Sequence, residues 1–232
     1  MKKLLRKLIS LAFVALLCAV AFYGFKGYLM YKDATSEVSV SEKVREIRRR
    51  ENYVTIDEIP EIYKDALICV EDRKFYDHSG IDIFSLTRAA IKNISDKEFS
   101  QGGSTITQQL AKNLFFTHEK SLTRKAAELF VVHELEDRYS KDVILELYIN
   151  TVYYGDGYYS LYDASKGYYD CEPQDLTDFE ATYLAGVPNA PSVFAPTKKS
   201  EAGDRRHEVV LSAMVDCDKI TEDYKNEILS ER

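Results

Sequence analysis

Residues 71–80 read EDRKFYDHSG, residues 102–113 read GGSTITQQLAKN, and residues 124–128 read RKAAE. Each of these three segments places charged or amide side chains inside a pattern that is otherwise apolar and helical. Helical periodicity along most of the chain, with almost no alternating strand pattern, predicts a mainly α fold. The three polar segments are the candidates for a functional site within that fold.

The second segment predicts a helix with two different faces, capped by Ser104 and running to about residue 115. At about 100° per residue, Ile106, Leu110 and Leu114 fall on one side. The other side carries Thr105, Gln108, Gln109 and Lys112. A cation and amides without an acid suit an anionic, oxygen-rich ligand near a helix N-terminus. An ordinary polar surface is the alternative interpretation.

The third segment places Arg124 and Glu128 on one helical stripe with Val131, Val132 and Leu135. A carboxylate on an apolar stripe is partly buried and needs a partner, which Arg124 can supply from one turn away. A plain surface ion pair is the alternative, although an arginine that precedes a glutamate by four residues is the weaker orientation. The pattern therefore predicts a buried pair.

In the first segment, Glu71 follows apolar residues at the end of a predicted helix, a setting that suits a general acid or base. The neighbouring charges, residues 72–74, are interpreted as solvated. Two carboxylates in apolar settings are typical of glycosyl chemistry. Cations beside them can stabilise a phosphate or pyrophosphate leaving group. These cations are Lys112, Lys120, Arg124 and Lys125.

The N-terminus predicts a membrane anchor. Residues 8–25 carry no charge and are bounded by Lys26, and about 20 apolar residues span a bilayer. A cleaved signal peptide is the alternative, but its small-residue site, Ala19-Val20-Ala21, lies inside the apolar run. The positive charges of residues 2–7 place the N-terminus in the cytoplasm and the bulk of the chain outside. An anchored enzyme with a pyrophosphate site points to a lipid-linked sugar donor.

The predicted organisation is a cytoplasmic tail (1–7), a transmembrane anchor (8–25), a juxtamembrane stalk with a short helix near Val44 and Ile47 (26–50), and a globular domain (51–232). Further helices are predicted over 62–71, 85–94, 122–139, 142–152, 178–185, 205–215 and 222–229, and residues 153–169 are ambiguous.

Composition narrows the function classes. The net charge of -7 argues against nucleic-acid binding, because a polyanion requires a basic surface. The four cysteines fit no zinc pattern, and the three outside the anchor are an odd number, so free thiols are expected.

Five ordered motifs resemble those of glycosyltransferase family 51, the peptidoglycan glycosyltransferases. They are EDxxFxxHxG at 71–80, GGSTxTQQ at 102–109, RKxxE at 124–128, KDxILExYIN at 141–150 and RRxxVVL at 205–211. The resemblance implies a mainly α fold with a lysozyme-like head lobe and a small, membrane-associated jaw lobe. It implies polymerisation of lipid II into β-1,4-linked glycan, with inversion and release of undecaprenyl pyrophosphate.

The resemblance also implies roles for individual residues. Glu71 would be the general base, and Glu128 would support the donor pyrophosphate and any bound divalent cation, Mg or Mn. Substrate would be bound by Ser104, Thr105, Gln108, Gln109, Lys112, Lys120, Arg124, Lys125 and Asn150. The expected partners are lipid II, the growing glycan strand, the bacterial membrane and other cell-wall synthesis proteins.

Two other functions share parts of this pattern. A lysozyme-like hydrolase or lytic transglycosylase would need one acid, but not the cations around Lys112. A non-enzymatic scaffold for cell-wall synthases would not need Glu71. No Ser-x-x-Lys transpeptidase motif occurs in the sequence, so we expect either a monofunctional enzyme or the first part of a bifunctional one.

Overall fold

The computed structural model describes residues 2–82, 103–117 and 121–231. Within these ranges the chain folds into helices, and its β structure is limited to one isolated bridge. The helices are α1 (Lys2–Ala34), α2 (Val40–Arg48), α3 (Glu61–Glu71), α4 (Ile106–Phe115), α5 (Leu122–Arg138), α6 (Lys141–Ile149), α7 (Leu161–Tyr169), α8 (Asp178–Gly186), α9 (Pro191–Phe194), α10 (Glu201–Asp216) and α11 (Glu222–Ser230). The prediction of a mainly α fold is confirmed. The helix predicted over 85–94 and the candidate Lys120 lie outside the described residues.

Helix α1 is continuous over 33 residues and contains the predicted anchor. In the part of the chain that the structure describes, it is the one helix long and apolar enough to cross a membrane. Its single buried residue is Gly27, which lies beyond the apolar run. From there α1 packs along α5, the helix that carries the third polar segment.

The region predicted as a stalk contains a helix that belongs to the hydrophobic core. Val40, Val44 and Ile47 of α2 are buried in the same cluster as the core of the globular part. Ser39 and Glu42 form a capping box that starts the helix. The short helix expected near Val44 and Ile47 is therefore present, and it packs onto the domain, while the domain bounds remain a prediction.

The core brings the polar segments together. Helix α3 packs against α8 and α10, and α4 packs against α5 and α6. The largest fully buried side chains include Tyr63, Phe75, Tyr148 and Tyr154. Because α3 ends at the first polar segment and α4 and α5 carry the other two, this packing fixes the relative positions of all three.

Several helix ends differ from the prediction. Ser104 is not the N-cap of α4: Thr105 accepts from the Gln108 amide, and the Gln108 side chain accepts from the Thr105 amide. That reciprocal pair fixes the start of α4 one residue later. Helix α6 ends at residue 149 instead of 152; Asn150 is its C-cap, and the Asn150 side chain donates to the Glu146 carbonyl.

The ambiguous tyrosine-rich stretch divides into a turn and a helix. Gly155 and Gly157 both have φ of +94°, a conformation that glycine adopts without strain. Ser160 then caps α7 by accepting from the Asp163 amide at 3.0 Å. The turn therefore ends at a capping serine, which periodicity alone did not reveal.

Candidate active site

Glu71, at the C-terminal end of α3, is held by partners from two other helices. Its Oε1 lies 2.8 Å from Nη2 of Arg206 on α10. Its Oε2 accepts a hydrogen bond of 2.8 Å from Nε2 of Gln109 on α4. The Glu71 side chain is 9% exposed, so the carboxylate is oriented by charge and hydrogen bonding with little access for competing water.

The orientation of Gln109 is fixed in turn by Tyr148. The buried Tyr148 hydroxyl donates to Gln109 Oε1 at 3.0 Å. The amide NH₂ group therefore points at Glu71. Burial, together with the negative charge of Glu71, raises the pKa of Tyr148 well above its ordinary value, which keeps the hydroxyl protonated as a donor.

Asp72, interpreted from sequence as solvated, is buried. Its carboxylate accepts from the Ile106 amide at the start of α4, at 3.1 Å, and lies 2.9 Å from His78 Nε2. The Gly80 amide donates to His78 Nδ1, so the ring proton is on Nε2 and faces Asp72. Burial raises the pKa of Asp72 against the opposing effect of His78. This network joins the first polar segment to the N-terminus of α4.

The second carboxylate, Glu128, is completely buried on α5. It is ion-paired with Arg124, as the helical stripe predicts, and its Oε2 lies 2.9 Å from Lys125 Nζ. Lys125 also donates to Ser104 Oγ at 3.1 Å. Ser104, Arg124, Lys125 and Glu128 therefore form one cluster at the N-terminal end of α5.

Lys112 connects this cluster with Glu71. Burial, and after it the charge of Arg124, lowers the pKa of Lys112, whereas Glu71 acts in the opposite direction. Burial and the charges of Arg124 and Lys112 also lower the pKa of Lys125. Within the described ranges, no carboxylate lies within ion-pair distance of Lys112. Lys112, Arg124 and Lys125 therefore influence one another electrostatically, and we call these three residues the cationic cluster.

The structure gives three predicted binding residues a structural role. Thr105 and Gln108 are buried, cap α4, and link it to the preceding segment through the Thr105 hydroxyl, which donates to the Gly80 carbonyl at 2.7 Å. Asn150 is buried at the C-terminal end of α6. Its side-chain amide accepts from the Val54 backbone amide and donates to the backbone carbonyls of Val54 and Glu146. The structure does not bring Asn150 to the cationic cluster.

Arg206 was not among the candidate site residues, although it lies in the fifth motif. A signal for it is present in the sequence, because Arg206 shares a helical stripe with Val210 and Ala213, both buried. An arginine on such a stripe needs a carboxylate partner. The same stripe pattern that predicts the pair of Arg124 and Glu128 therefore also predicts a buried ion pair for Arg206.

The candidate site residues lie within a stretch that matches a known family. A family model described as transglycosylase matches residues 38–215. The chain is 44% identical over 163 residues to penicillin-binding protein 1F of Bacillus subtilis (strain 168), which is 70% of this chain and 23% of that protein. It is 40% identical over 183 residues to penicillin-binding protein 1A of Neisseria flavescens, which is 79% of this chain and 23% of that protein.

The chain is also 38% identical over 169 residues to penicillin-binding protein 4 of Bacillus subtilis (strain 168), which is 73% of this chain and 27% of that protein. The chain thus spans about a quarter of the length of these curated relatives. The family model covers more than half of the chain, including every part of the candidate site described above. The chain belongs to the transglycosylase family.

Proposed function

We propose that this protein is a peptidoglycan glycosyltransferase that polymerises lipid II into β-1,4-linked glycan strands and releases undecaprenyl pyrophosphate. The observation that carries this proposal is that Glu128 pairs with two members of the cationic cluster, while the pKa of the third, Lys112, is influenced by Glu71. Glu71 is oriented by partners from two other helices, whereas Glu128 is paired with two of the cations. Membership of the transglycosylase family supports the same reaction class.

On the acceptor side, Glu71 takes the proton of the sugar 4-hydroxyl as the general base. Arg206 and Gln109 hold its two oxygens at 2.8 Å each, so the carboxylate does not have to be ordered when substrate arrives. A positioned base of this kind contributes about 10²- to 10⁴-fold in rate. The hydrogen bonds from Tyr148 to Gln109 and from Gln109 to Glu71 hold the carboxylate in this position.

On the donor side, the cationic cluster binds the pyrophosphate of the growing strand. The acceptor oxygen forms a bond to the anomeric carbon as the bond from that carbon to the pyrophosphate breaks, with inversion. The proton ends on Glu71, and the negative charge ends on the departing pyrophosphate. Fixed cations next to a developing anion are a strong source of transition-state stabilisation. Glu128 holds Arg124 and Lys125 in position for this role.

A resident divalent cation does not fit the donor set around Glu128. Arg124 and Lys125 pair with the carboxylate, and three cations close by repel a further positive ion. In the part of the chain that the structure describes, no group of three His, Cys, Asp or Glu side chains could hold a metal. The expected support of a bound Mg or Mn ion by Glu128 is therefore not part of this proposal, and the steps above use protein groups alone.

The membrane placement belongs to the same proposal. Helix α1 spans the bacterial cell membrane once, with the N-terminus in the cytoplasm and the helical domain outside, where lipid-linked substrate is polymerised. The four positive charges before the apolar run support this orientation. Other cell-wall synthesis proteins are the proposed protein partners.

Incubation of the full chain with lipid II in vesicles tests the activity. We expect a ladder of glycan polymer that a muramidase digests, with one undecaprenyl pyrophosphate released for each disaccharide added. Shortening of preformed glycan, without use of lipid II, would instead identify a hydrolase. If neither product forms, the scaffold interpretation replaces the enzyme.

A further inference from the structure

Helix α1 and helix α5 lie side by side and run in the same direction. Gly27 of α1 lies against Ala126 of α5. Further along, Tyr31 stacks on Phe130 with ring centroids 5.6 Å apart, and its hydroxyl donates to Glu134 Oε2 at 2.9 Å. Residues later in α1 contact residues later in α5, so the two helices are parallel. The pairs Gly27 with Ala126 and Tyr31 with Phe130 define their register.

The closest point of this contact depends on a glycine. A Cβ atom at Gly27 would lie 2.5 Å from the Ala126 Cβ and 2.8 Å from both the Ala126 carbonyl carbon and the Ala127 nitrogen. Two of those three atoms belong to the backbone, which cannot rotate away as a side chain does. In contrast, a Cβ at Gly24, one turn earlier, meets nothing within 4 Å in the described part of the chain.

This register sets the depth of the cationic cluster relative to the membrane. A helix rises about 1.5 Å per residue, so Arg124 and Lys125 lie about 2–3 Å closer to the cytoplasmic end than Ala126. That level corresponds to Phe25 and Lys26 of α1, where the apolar run ends. The run itself is about 27 Å long, close to the roughly 30 Å hydrocarbon core of a bilayer. If α1 spans the bilayer as proposed, Arg124 and Lys125 lie at the level of the lipid headgroups.

The N-terminal end of α5 also presents apolar surface at this level. Leu122 is 64% exposed and lies about one turn closer to the bilayer centre than Ala126. An exposed leucine at the end of a helix that runs beside a membrane anchor faces the hydrocarbon. This side chain gives α5 its own contact with the bilayer that α1 spans.

We propose that Gly27 is a positioning residue: its close contact with Ala126 holds the N-terminal end of α5, and with it the cationic cluster, at headgroup depth, where a membrane-embedded pyrophosphate lipid presents its phosphates. This inference rests on the proposed function for its substrate, but its geometric part does not depend on activity. Substitution of Gly27 separates the two helices and lifts the cluster from the membrane surface.

The depth is measured with a tryptophan probe, since the chain contains no tryptophan. In Leu122→Trp protein reconstituted in phosphatidylcholine and phosphatidylglycerol vesicles, we expect quenching by lipids brominated on the upper acyl chain. Adding Gly27→Ala will reduce that quenching, whereas adding Gly24→Ala will leave it unchanged. The proposal is overturned if the introduced tryptophan is not quenched, or if the two glycine variants behave alike.

Activity supplies the second readout. With full-length lipid II in vesicles, Gly27→Ala should lower kcat/KM by roughly ten- to a hundredfold, the range expected of small misplacements. With a water-soluble, short-chain lipid II analogue, the same variant should match Gly24→Ala. Equal losses on both substrates would mean that the glycine supports folding alone, and the proposal would fail.

These outcomes separate the inference from the proposed function. A wild-type protein that polymerises neither substrate would contradict the proposed function, while the quenching data would still decide the depth of α5. Normal polymerisation with unquenched tryptophan would retain the proposed function and remove the role of Gly27.

Discussion

Arg206 holds the proposed base in place through two contacts that only a guanidinium can make together. Its Nη2 pairs with Glu71, while its Nε donates to the Gly186 carbonyl at 3.1 Å. The side chain is 15% exposed, so water cannot easily replace either contact. Arg206 is therefore a positioning residue, and its effect should appear in the rate of the chemical step.

We expect Arg206→Lys to lower kcat by about tenfold with little change in KM, because a lysine keeps the charge but loses the fork that spans Glu71 and Gly186. Arg205→Lys is the matched control, since Arg205 is exposed and its ion pair among the described residues is with Glu201. Steady-state kinetics on lipid II measure both parameters. Equal changes in the two variants would remove Arg206 from this role.

The lowered pKa of Lys112 predicts how kcat/KM depends on pH. Because burial and Arg124 lower its pKa below the usual 10.5, Lys112 loses its proton as the pH rises before an ordinary lysine would. The neutral amine cannot pair with pyrophosphate, so kcat/KM should fall on the alkaline side at a pH below 10.5. In Lys112→Arg, which stays protonated, the fall should move to higher pH. An alkaline limb that is identical in the two proteins would contradict this assignment.

Lys112→Ala should weaken lipid II use and inhibition by a phosphoglycolipid together, since under the proposed function the phosphate groups of both ligands would pair with Lys112. The expected loss for each is about tenfold, the usual size of one charge-assisted contact. Inhibitor titration and kinetics on lipid II measure the two effects. Loss of one without the other would show that the two ligands do not share Lys112.

At the scale of the helix, α4 is fixed at its N-terminus by groups from elsewhere in the chain. Asp72 accepts from the first helical amide, and Gly80 accepts from the capping hydroxyl of Thr105. These bonds tie the loop after Glu71 to the helix that carries Gln109 and Lys112. The two sides of the proposed site are therefore joined by backbone capping as well as by the ion pairs.

Thr105→Ala should destabilise the protein by about 1–2 kcal/mol, because it removes the cap of α4 and leaves the Gly80 carbonyl without its donor. Thr105→Ser, which retains the hydroxyl, should cost less. Ser104→Ala is the control and should cost under about 0.5 kcal/mol, as a substitution outside the cap. Urea unfolding in detergent gives these values. If Ser104→Ala proved as costly as Thr105→Ala, the cap would be misassigned.

The sequence predicted the existence of most helices in the described ranges, since their apolar periodicity reflects which faces are buried. It was less successful at their ends, where a partner distant in sequence decides the boundary. Asn150 illustrates this: it is the C-cap of α6, and its side chain binds the backbone of Val54, ninety-six positions earlier. No local pattern contains that contact.

Site residues could be predicted where the sequence pattern around them indicates their burial. The buried pair of Arg124 and Glu128 follows from one helical stripe and is confirmed. The burial of Asp72 was missed, because its partners, Ile106 and His78, are reached only in the folded chain. A charge run that looks solvated in sequence can therefore contain one buried member.

At the scale of the whole molecule, the anchor and the site form one continuous structure. Helix α1 leaves the apolar run and packs on α5 within a few residues, so in the described part of the chain the predicted span joins the helix of Glu128 by direct packing. An enzyme built this way can act on substrates that remain in the bilayer. The account therefore depends on two carboxylates with separate duties, a base at Glu71 and a pyrophosphate site organised by Glu128.

Single-turnover polymerisation by Glu71→Gln, with lipid II binding measured in the same vesicles, tests that division most directly. We predict that the rate falls by at least ~10²-fold, the usual contribution of a general base, while the dissociation constant for lipid II changes by less than about threefold, since the cationic cluster is intact. Near-normal turnover, or a loss of binding as large as the loss of rate, would contradict the account.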